Sequence, residues 1–120
     1  MTDPVKSYPD LTREISAHSR TLRKDMPEVM AAFSGLAQAA LKDGALDKKT
    51  KEFVALAIGI ATRCDGCIGY HTEAVVKLGA TRAEFQEVLG MAIYMGGGPS
   101  LMYAAHAMGA WEQYGGAGEK

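Results

Sequence analysis

The chain has 120 residues, of which 48% are hydrophobic and 22% charged, and its formal net charge is −1 at pH 7. This length suits one domain with a hydrophobic core, and the near-neutral charge offers no electrostatic basis for binding nucleic acid or an acidic membrane surface. We therefore expect a single domain over residues 1–120 with neither nucleic acid nor membrane as a partner.

The N-terminal part predicts two helices within residues 10–43. Leu11, Ile15, His18 and Leu22 recur at steps of four, three and four, which is typical of an amphipathic helix. The sequence DMPE that begins at Asp25 then combines a capping residue, an early proline and a glutamate, so it predicts the start of a second helix. The residues expected together on one apolar face of this helix are Val29, Met30, Phe33, Leu36, Ala37, Ala40 and Leu41.

A third helix is predicted from a cap at Asp47 to about Thr62. Its later part, FVALAIGIA, is apolar on every side, so we expect this helix to lie in the middle of the structure. A fourth helix begins at the only two cysteines and stops at Gly79.

Two further helices complete the chain. The sequence TRAE at Thr81 is a capping box that opens a fifth helix to about Met95. Three glycines then form a tight turn, and Pro99 begins a sixth helix that ends before Gly115. We expect His106, on an apolar face of the sixth helix, to be packed and hydrogen-bonded.

No charged residue lies between Val88 and Trp111, a length that also suits a membrane span. The glycine turn interrupts this run, and backbone groups of such a turn would lack partners in lipid. Two buried helices are therefore expected. Since no strand pattern competes, the prediction is an all-α domain of about six helices, with its core in residues 46–114 and a disordered end, GGAGEK. The first ten residues show no signal-peptide pattern, so we expect a cytoplasmic protein.

The chemistry lies in the segment CDGCIGYH. Asp65 and Gly66, between Cys64 and Cys67, disfavour a continuous helix, so the thiols are expected at the start of the fourth helix. Unpaired N–H groups there stabilise a thiolate, and cysteines three residues apart can close a disulfide. In a reducing compartment such a pair is more often catalytic or metal-binding than structural.

Two further residues are candidates for activating a thiol. His71 follows Cys67 by one helical turn, and its side chain leans back toward that cysteine. If the third and fourth helices form a tight hairpin, Glu52 lies at a similar height to His71. A carboxylate on the imidazole would orient it and raise its basicity.

Each of these residues also has a simpler interpretation. Glu52 suits a solvated acid in the first turn of a helix, and His71 suits a surface or core histidine. Zinc would require four protein ligands, yet the remaining histidines, His18 and His106, are distant in the sequence. The cysteines can also be buried and inert.

Together these residues resemble a known family. The segment from Leu46 to about Tyr114 is similar to the carboxymuconolactone decarboxylase superfamily, in its alkyl hydroperoxidase D-like branch. The most specific element is Glu52, with Cys64 twelve residues on, Cys67 three further and His71 four further.

The resemblance implies a helical subunit that assembles into trimers or hexamers and works as a cofactor-free, disulfide-cycling peroxidase. Cys67 would attack the peroxide and become a sulfenic acid, Cys64 would resolve it, and Glu52 and His71 would relay protons. The reductant would be a dithiol, on a lipoylated or thioredoxin-like protein.

One residue departs from the family pattern. The well-known hydroperoxidases carry a histidine between the cysteines, where this chain has Gly66. The decarboxylases that name the superfamily generally lack the cysteine pair. A lactone decarboxylase, or a non-enzymatic helical assembly or metal-binding protein, remains the alternative to the peroxidase.

Overall fold

The computed structural model describes residues 6–117, and all regular structure within that range is helical. The predicted all-α fold is therefore confirmed. The helices, in chain order, are α1 (Tyr8–Asp25), α2 (Pro27–Leu41), α3 (Lys48–Ala61), α4 (Asp65–Lys77), α5 (Arg82–Gly96) and α6 (Gly98–Gln113).

Short-range signals set most of the helix starts. The side chain of Asp47 accepts a hydrogen bond from the N–H of Thr50 at 2.8 Å, and Thr81 forms both bonds of the expected capping box with Glu84. The prediction for Asp25 is wrong in detail, because this residue ends α1 and Met26 is the N-cap of α2, without a side-chain bond. A short turn therefore separates these two helices without a polar cap.

The core forms where α3, α4, α5 and α6 meet. Trp111 of α6 is completely buried, and its ring centroid lies 4.6 Å from that of Phe85 in α5. Burying side chains of this kind is the main source of stability in a small domain. The other fully buried apolar side chains are Leu56, Ile60, Ile68, Val75, Ala107 and Ala110.

The apolar face that the sequence predicts on helix α2 is largely exposed in one chain. None of its residues is buried, and Val29, Phe33 and Leu36 are 58%, 65% and 63% exposed. In α3, Leu56 and Ile60 lie in the core, but Val54 and Ile58 are about half exposed. The pattern correctly marked both helices as apolar, yet one copy of the chain provides no cover for part of that surface.

The helices of the uncharged run are also only partly buried. The tight turn between them is present, with Gly97 at a φ of 72°, a conformation that favours glycine, and α6 begins one residue before the expected Pro99. Met95 of α5 and Met102 of α6 remain exposed. Within residues 6–117, no helix combines the length and apolarity needed to cross a bilayer.

The predicted disorder of the C-terminal end is wrong for the part that the structure describes. Gly116 lies against the indole of Trp111, and the indole N–H donates a hydrogen bond to the carbonyl of Ala117 at 3.1 Å. The rest of that prediction concerns residues 118–120, which lie outside the described residues, as do residues 1–5 of the N-terminal segment.

Candidate redox site

The cysteine motif lies at a sharp break between α3 and α4. The N–H of Cys64 bonds back to the carbonyl of Gly59 at 2.9 Å, and that of Arg63 to Ile60 at 3.1 Å. These bonds close α3 in a Schellman motif, with Arg63 in the left-handed region at a φ of 59°. The chain can then start α4 at once, and the predicted helix break near Arg63 is confirmed.

The two cysteines form a disulfide at the N-terminus of α4. Their Cα atoms are 5.2 Å apart, and both residues are partly exposed. Cys64 is the N-cap, and its sulfur accepts a hydrogen bond from the N–H of Cys67 at 3.1 Å. In the reduced form, the same amide and the helix dipole would stabilise a thiolate at this position.

Glu52 of α3 and His71 of α4 are in direct contact. The distance from Glu52 Oε1 to His71 Nδ1 is 2.5 Å, and Glu52 is only 4% exposed. The simpler interpretation of Glu52 as a solvated acid is therefore wrong. A carboxylate that accepts from Nδ1–H leaves Nε2 as the free basic nitrogen, so the contact selects one tautomer of His71.

A glycine that sequence reasoning missed lets α3 and α4 approach each other. A Cβ atom placed on Gly59 would lie 2.9 Å from the Cβ of Cys67. Any side chain at Gly59 would therefore push Cys67 away from α3, the helix that carries Glu52. The sequence signal was available, as a lone glycine inside an apolar helix often marks a close packing contact.

Sequence reasoning also missed the anchor at Asp65, between the cysteines. Its carboxylate accepts a hydrogen bond from Lys6 Nζ at 2.6 Å and another from the Tyr8 hydroxyl at 3.1 Å. Burial alone would raise the pKa of Asp65, but the bonds from Lys6 and Tyr8 outweigh it and lower that pKa. Burial, together with the charge of Asp65, raises the pKa of Tyr8. The residues before and within α1 thus hold the cysteine turn in place.

Gly66, between the cysteines, lets helix α1 pack closely against the cysteine turn. A Cβ atom on Gly66 would lie 2.9 Å from Cδ1 of Ile15. A histidine between the cysteines would therefore require Ile15 to shift. In this chain α1 occupies the space beside the cysteine turn.

Within residues 6–117, the two remaining histidines make no hydrogen bond to Glu52, His71 or the cysteines. His106 is partly buried and meets Tyr103 edge to face at 5.5 Å between ring centroids, but its buried Nδ1 has no hydrogen-bond partner among the described residues. The expected packing is present and the expected hydrogen bond is not. His18 lies exposed on α1. Across residues 6–117, no three His, Cys, Asp or Glu side chains group closely enough to hold a metal ion.

Comparison with known proteins identifies the family. The model of the carboxymuconolactone decarboxylase family matches residues 27–110, which include the whole cysteine motif. The chain belongs to the carboxymuconolactone decarboxylase family. A solved member from Legionella pneumophila is similar over 89% of this chain and 96% of its own, with 58% identity and a TM-score of 0.88.

Two other similar proteins have a lower sequence identity to this chain. A carboxymuconolactone decarboxylase family protein from Thermotoga maritima, for which a role in the antioxidative response has been suggested, is 36% identical with a TM-score of 0.66, over 69% of this chain and 86% of its own. An uncharacterized protein of Cupriavidus necator is 40% identical over 79% of this chain and 84% of its own length. The disulfide between Cys64 and Cys67 fits the alkyl hydroperoxidase D-like branch of the family.

Proposed function

We propose that this protein is a thiol-dependent peroxidase and disulfide reductase that cycles Cys64 and Cys67 between dithiol and disulfide. The observation that carries the proposal is the buried Glu52 carboxylate, 2.5 Å from Nδ1 of His71, on the turn that follows the disulfide. Burying a carboxylate is costly unless it is paired. Its pairing with a histidine one helical turn from a cysteine is the kind of arrangement that activates a nucleophile.

In the proposed reaction, Nε2 of His71 takes the proton of the Cys67 thiol, and the resulting thiolate attacks one oxygen of a hydroperoxide. A sulfur–oxygen bond forms, the oxygen–oxygen bond breaks, and the departing alkoxide takes a proton from His71 and leaves as an alcohol. Cys67 is then a sulfenic acid. The thiolate of Cys64 attacks its sulfur, hydroxide leaves and takes a proton from solvent to become water, and the disulfide forms.

The surroundings of the two sulfurs support this division of roles. His71 lies one turn beyond Cys67 on α4, as a proton donor to the leaving oxygen requires. The sulfur of Cys64 accepts a hydrogen bond from the N–H of Cys67, and this contact favours the Cys64 thiolate for the second attack. A dithiol reductant, carried by a lipoylated or thioredoxin-like protein, would then restore both thiols in the cytoplasm.

The experiment is peroxide turnover with dihydrolipoamide and other dithiols, compared between wild type, Cys67→Ser and Cys64→Ser. We expect Cys67→Ser to consume no peroxide. Cys64→Ser should consume one equivalent and stop at a sulfenic acid that trapping reagents label. Labelling of Cys64 in the Cys67→Ser protein would reverse the roles. Lactone decarboxylation that survives the loss of both cysteines would favour a lactone decarboxylase instead.

We also propose that the subunit assembles with copies of itself, as a trimer or a hexamer. Apolar side chains are exposed on α2, on α3 and at the junction of α5 and α6, including Phe33, Ile58, Tyr94 and Met95. Soluble proteins rarely leave so much apolar surface in contact with water, and closed symmetric assembly is the usual way to cover it. Light scattering at micromolar concentration tests this, since a mass of 12.8 kDa would indicate a monomer.

A further inference from the structure

Three helices of this chain end in the same backbone motif, which permits a comparison within one molecule. In each, the residue after the C-cap has a positive φ, and the next N–H bonds back to a carbonyl five residues earlier. The positive-φ residues are Arg63 after α3 (59°), Gly79 after α4 (85°) and Gly115 after α6 (79°).

Arg63 is the exception among these three. Left-handed backbone brings Cβ close to the carbonyl oxygen, so a residue with a side chain is strained there and glycine is not. Within residues 6–117, Arg63 is the one residue other than glycine with a positive φ. It is also the residue directly before Cys64. Backbone strain kept at a functional site suggests that the side chain has a use.

The charges around the disulfide indicate what that use is. The Arg63 side chain is exposed and makes no hydrogen bond or ion pair with any of residues 6–117. The nearby acids are already paired, Asp65 with Lys6 and Glu52 with His71. The guanidinium therefore carries a positive charge that no acid among residues 6–117 neutralises, on the residue that directly precedes the disulfide.

We propose that Arg63 is a specificity-determining residue that binds a carboxylate on the thiol reductant while that reductant attacks the disulfide. A guanidinium suits this role because its planar N–H groups pair with both oxygens of a carboxylate. The inference rests on the proposed dithiol cycle and adds to it the charge of the reducing partner.

The step itself is an ordinary thiol–disulfide exchange. A thiolate of the reductant attacks the sulfur of Cys64, a new sulfur–sulfur bond forms, and Cys67 leaves as a thiolate. The second thiol of the reductant then displaces Cys64, so the reductant ends as a disulfide and the protein as a dithiol. Arg63 takes no part in these bonds and acts by holding the carboxylate nearby.

A helix C-terminus also attracts positive charge, which gives Arg63 a competing explanation. In that case its role would be structural, and removing the side chain would lower the unfolding temperature of the protein. It would not change the preference between a charged and a neutral reductant. If Arg63 binds the reductant, Arg63→Gly should raise the unfolding temperature, since glycine relieves the strain at this position. The same variant should also weaken the preference for the charged reductant.

The test measures the rate at which reductants open the disulfide in a single turnover without peroxide. Dihydrolipoate and dihydrolipoamide share the same dithiol, but only the first carries a carboxylate. For wild type we expect the ratio of their rates to exceed that of Arg63→Gly and Arg63→Gln by about three- to tenfold, the range of an exposed or partly desolvated ion pair. Arg63→Lys should retain part of the preference. Rising salt should remove it.

A parallel series with reduced thioredoxin identifies the source of the carboxylate. A rate loss in Arg63→Gly with dihydrolipoate supports a free acid, and a loss with thioredoxin alone supports an acidic side chain on a protein reductant. If neither rate changes, or if Arg63→Gly only lowers the unfolding temperature, the docking role is overturned. If no dithiol opens the wild-type disulfide, the dithiol cycle itself fails and the inference fails with it.

Discussion

Helices α2 and α3 are both rich in apolar residues, but they use them differently. In α3, Leu56 and Ile60 are completely buried, and the same helix brings Glu52 and Gly59 against α4. In α2 no residue is buried, although its sequence is the more apolar of the two helices. Apolar content therefore does not decide which helix forms the core.

The difference comes from the number of helices that pack against each of the two. Helix α3 packs against α2, α4, α5 and α6, so most of its circumference has a partner within one chain. Among the helices that the structure describes, α2 packs along α1 and more briefly against α3. The proposed proton relay needs the rigid surroundings of α3, because such a relay works only at fixed distances. The exposed face of α2 suits contact with another subunit.

The role proposed for Glu52 on α3 is tested most directly by Glu52→Gln. The amide keeps the shape of the side chain but cannot accept a proton or stabilise imidazolium. We expect disulfide formation by peroxide to slow by about 10²–10⁴-fold, with the helical circular dichroism unchanged. The control is Glu14→Gln, on the exposed surface of α1. An unchanged rate for Glu52→Gln would show that Glu52 has no part in the relay.

The exposed face of α2 is tested by Phe33→Glu, which should dissociate the proposed assembly of subunits. A buried carboxylate without a partner in a subunit contact costs several kcal/mol, on the order of 2–5 kcal/mol. Because Phe33 is already 65% exposed in one chain, the subunit itself should keep its fold. Light scattering and circular dichroism measure the two effects. Gln38→Glu adds the same charge elsewhere on α2, and an equal loss of mass there would contradict a contact at Phe33.

Gly59→Ala tests the close contact between α3 and α4. The new Cβ would lie 2.9 Å from Cys67 Cβ, so the cysteine turn has to shift. We expect a loss of about 1–3 kcal/mol in the free energy of unfolding, with slower thiol chemistry. Gly109→Ala in α6, where a Cβ would meet no neighbour, is the control. It should be neutral or stabilising by about 0.5–1 kcal/mol, since alanine favours helix more than glycine.

The features that the sequence predicted well depend on residues close together in the chain. The caps at Asp47 and Thr81 act within one turn, and a four-residue step places His71 beyond Cys67. The contact with Glu52 was also within reach, because two consecutive helices with a short turn must be antiparallel neighbours. Rise per residue then gives the height of each side chain.

The features that it missed depend on contacts between distant parts of the chain. The bond from Tyr8 to Asp65 joins residues 57 positions apart, and no local pattern indicates where α1 docks. For a related reason, no sequence pattern indicated that the apolar face of α2 is exposed in one chain. Periodicity shows that a face is apolar, but it does not show whether the surface that covers it belongs to the same chain.

The smallest effect is expected at the anchor between α1 and the cysteine turn. Because the folded protein lowers the pKa of Asp65 below its ordinary value of 3.8, this carboxylate stabilises the fold above that pH. The contribution is lost as pH falls through the lowered pKa. Asp65→Asn should therefore cost about 0.2–1 kcal/mol near pH 7, the range of partly exposed ion pairs.

The difference between Asp65→Asn and wild type should then shrink as denaturant unfolding is repeated from about pH 6 down to pH 3. Glu87→Gln, on the exposed face of α5, serves as the comparison for the loss of one negative charge. A gap that stays constant over this range would show that Asp65 holds α1 by shape alone. A gap that closes would show that its charge, paired with Lys6, holds the N-terminal helix beside the disulfide.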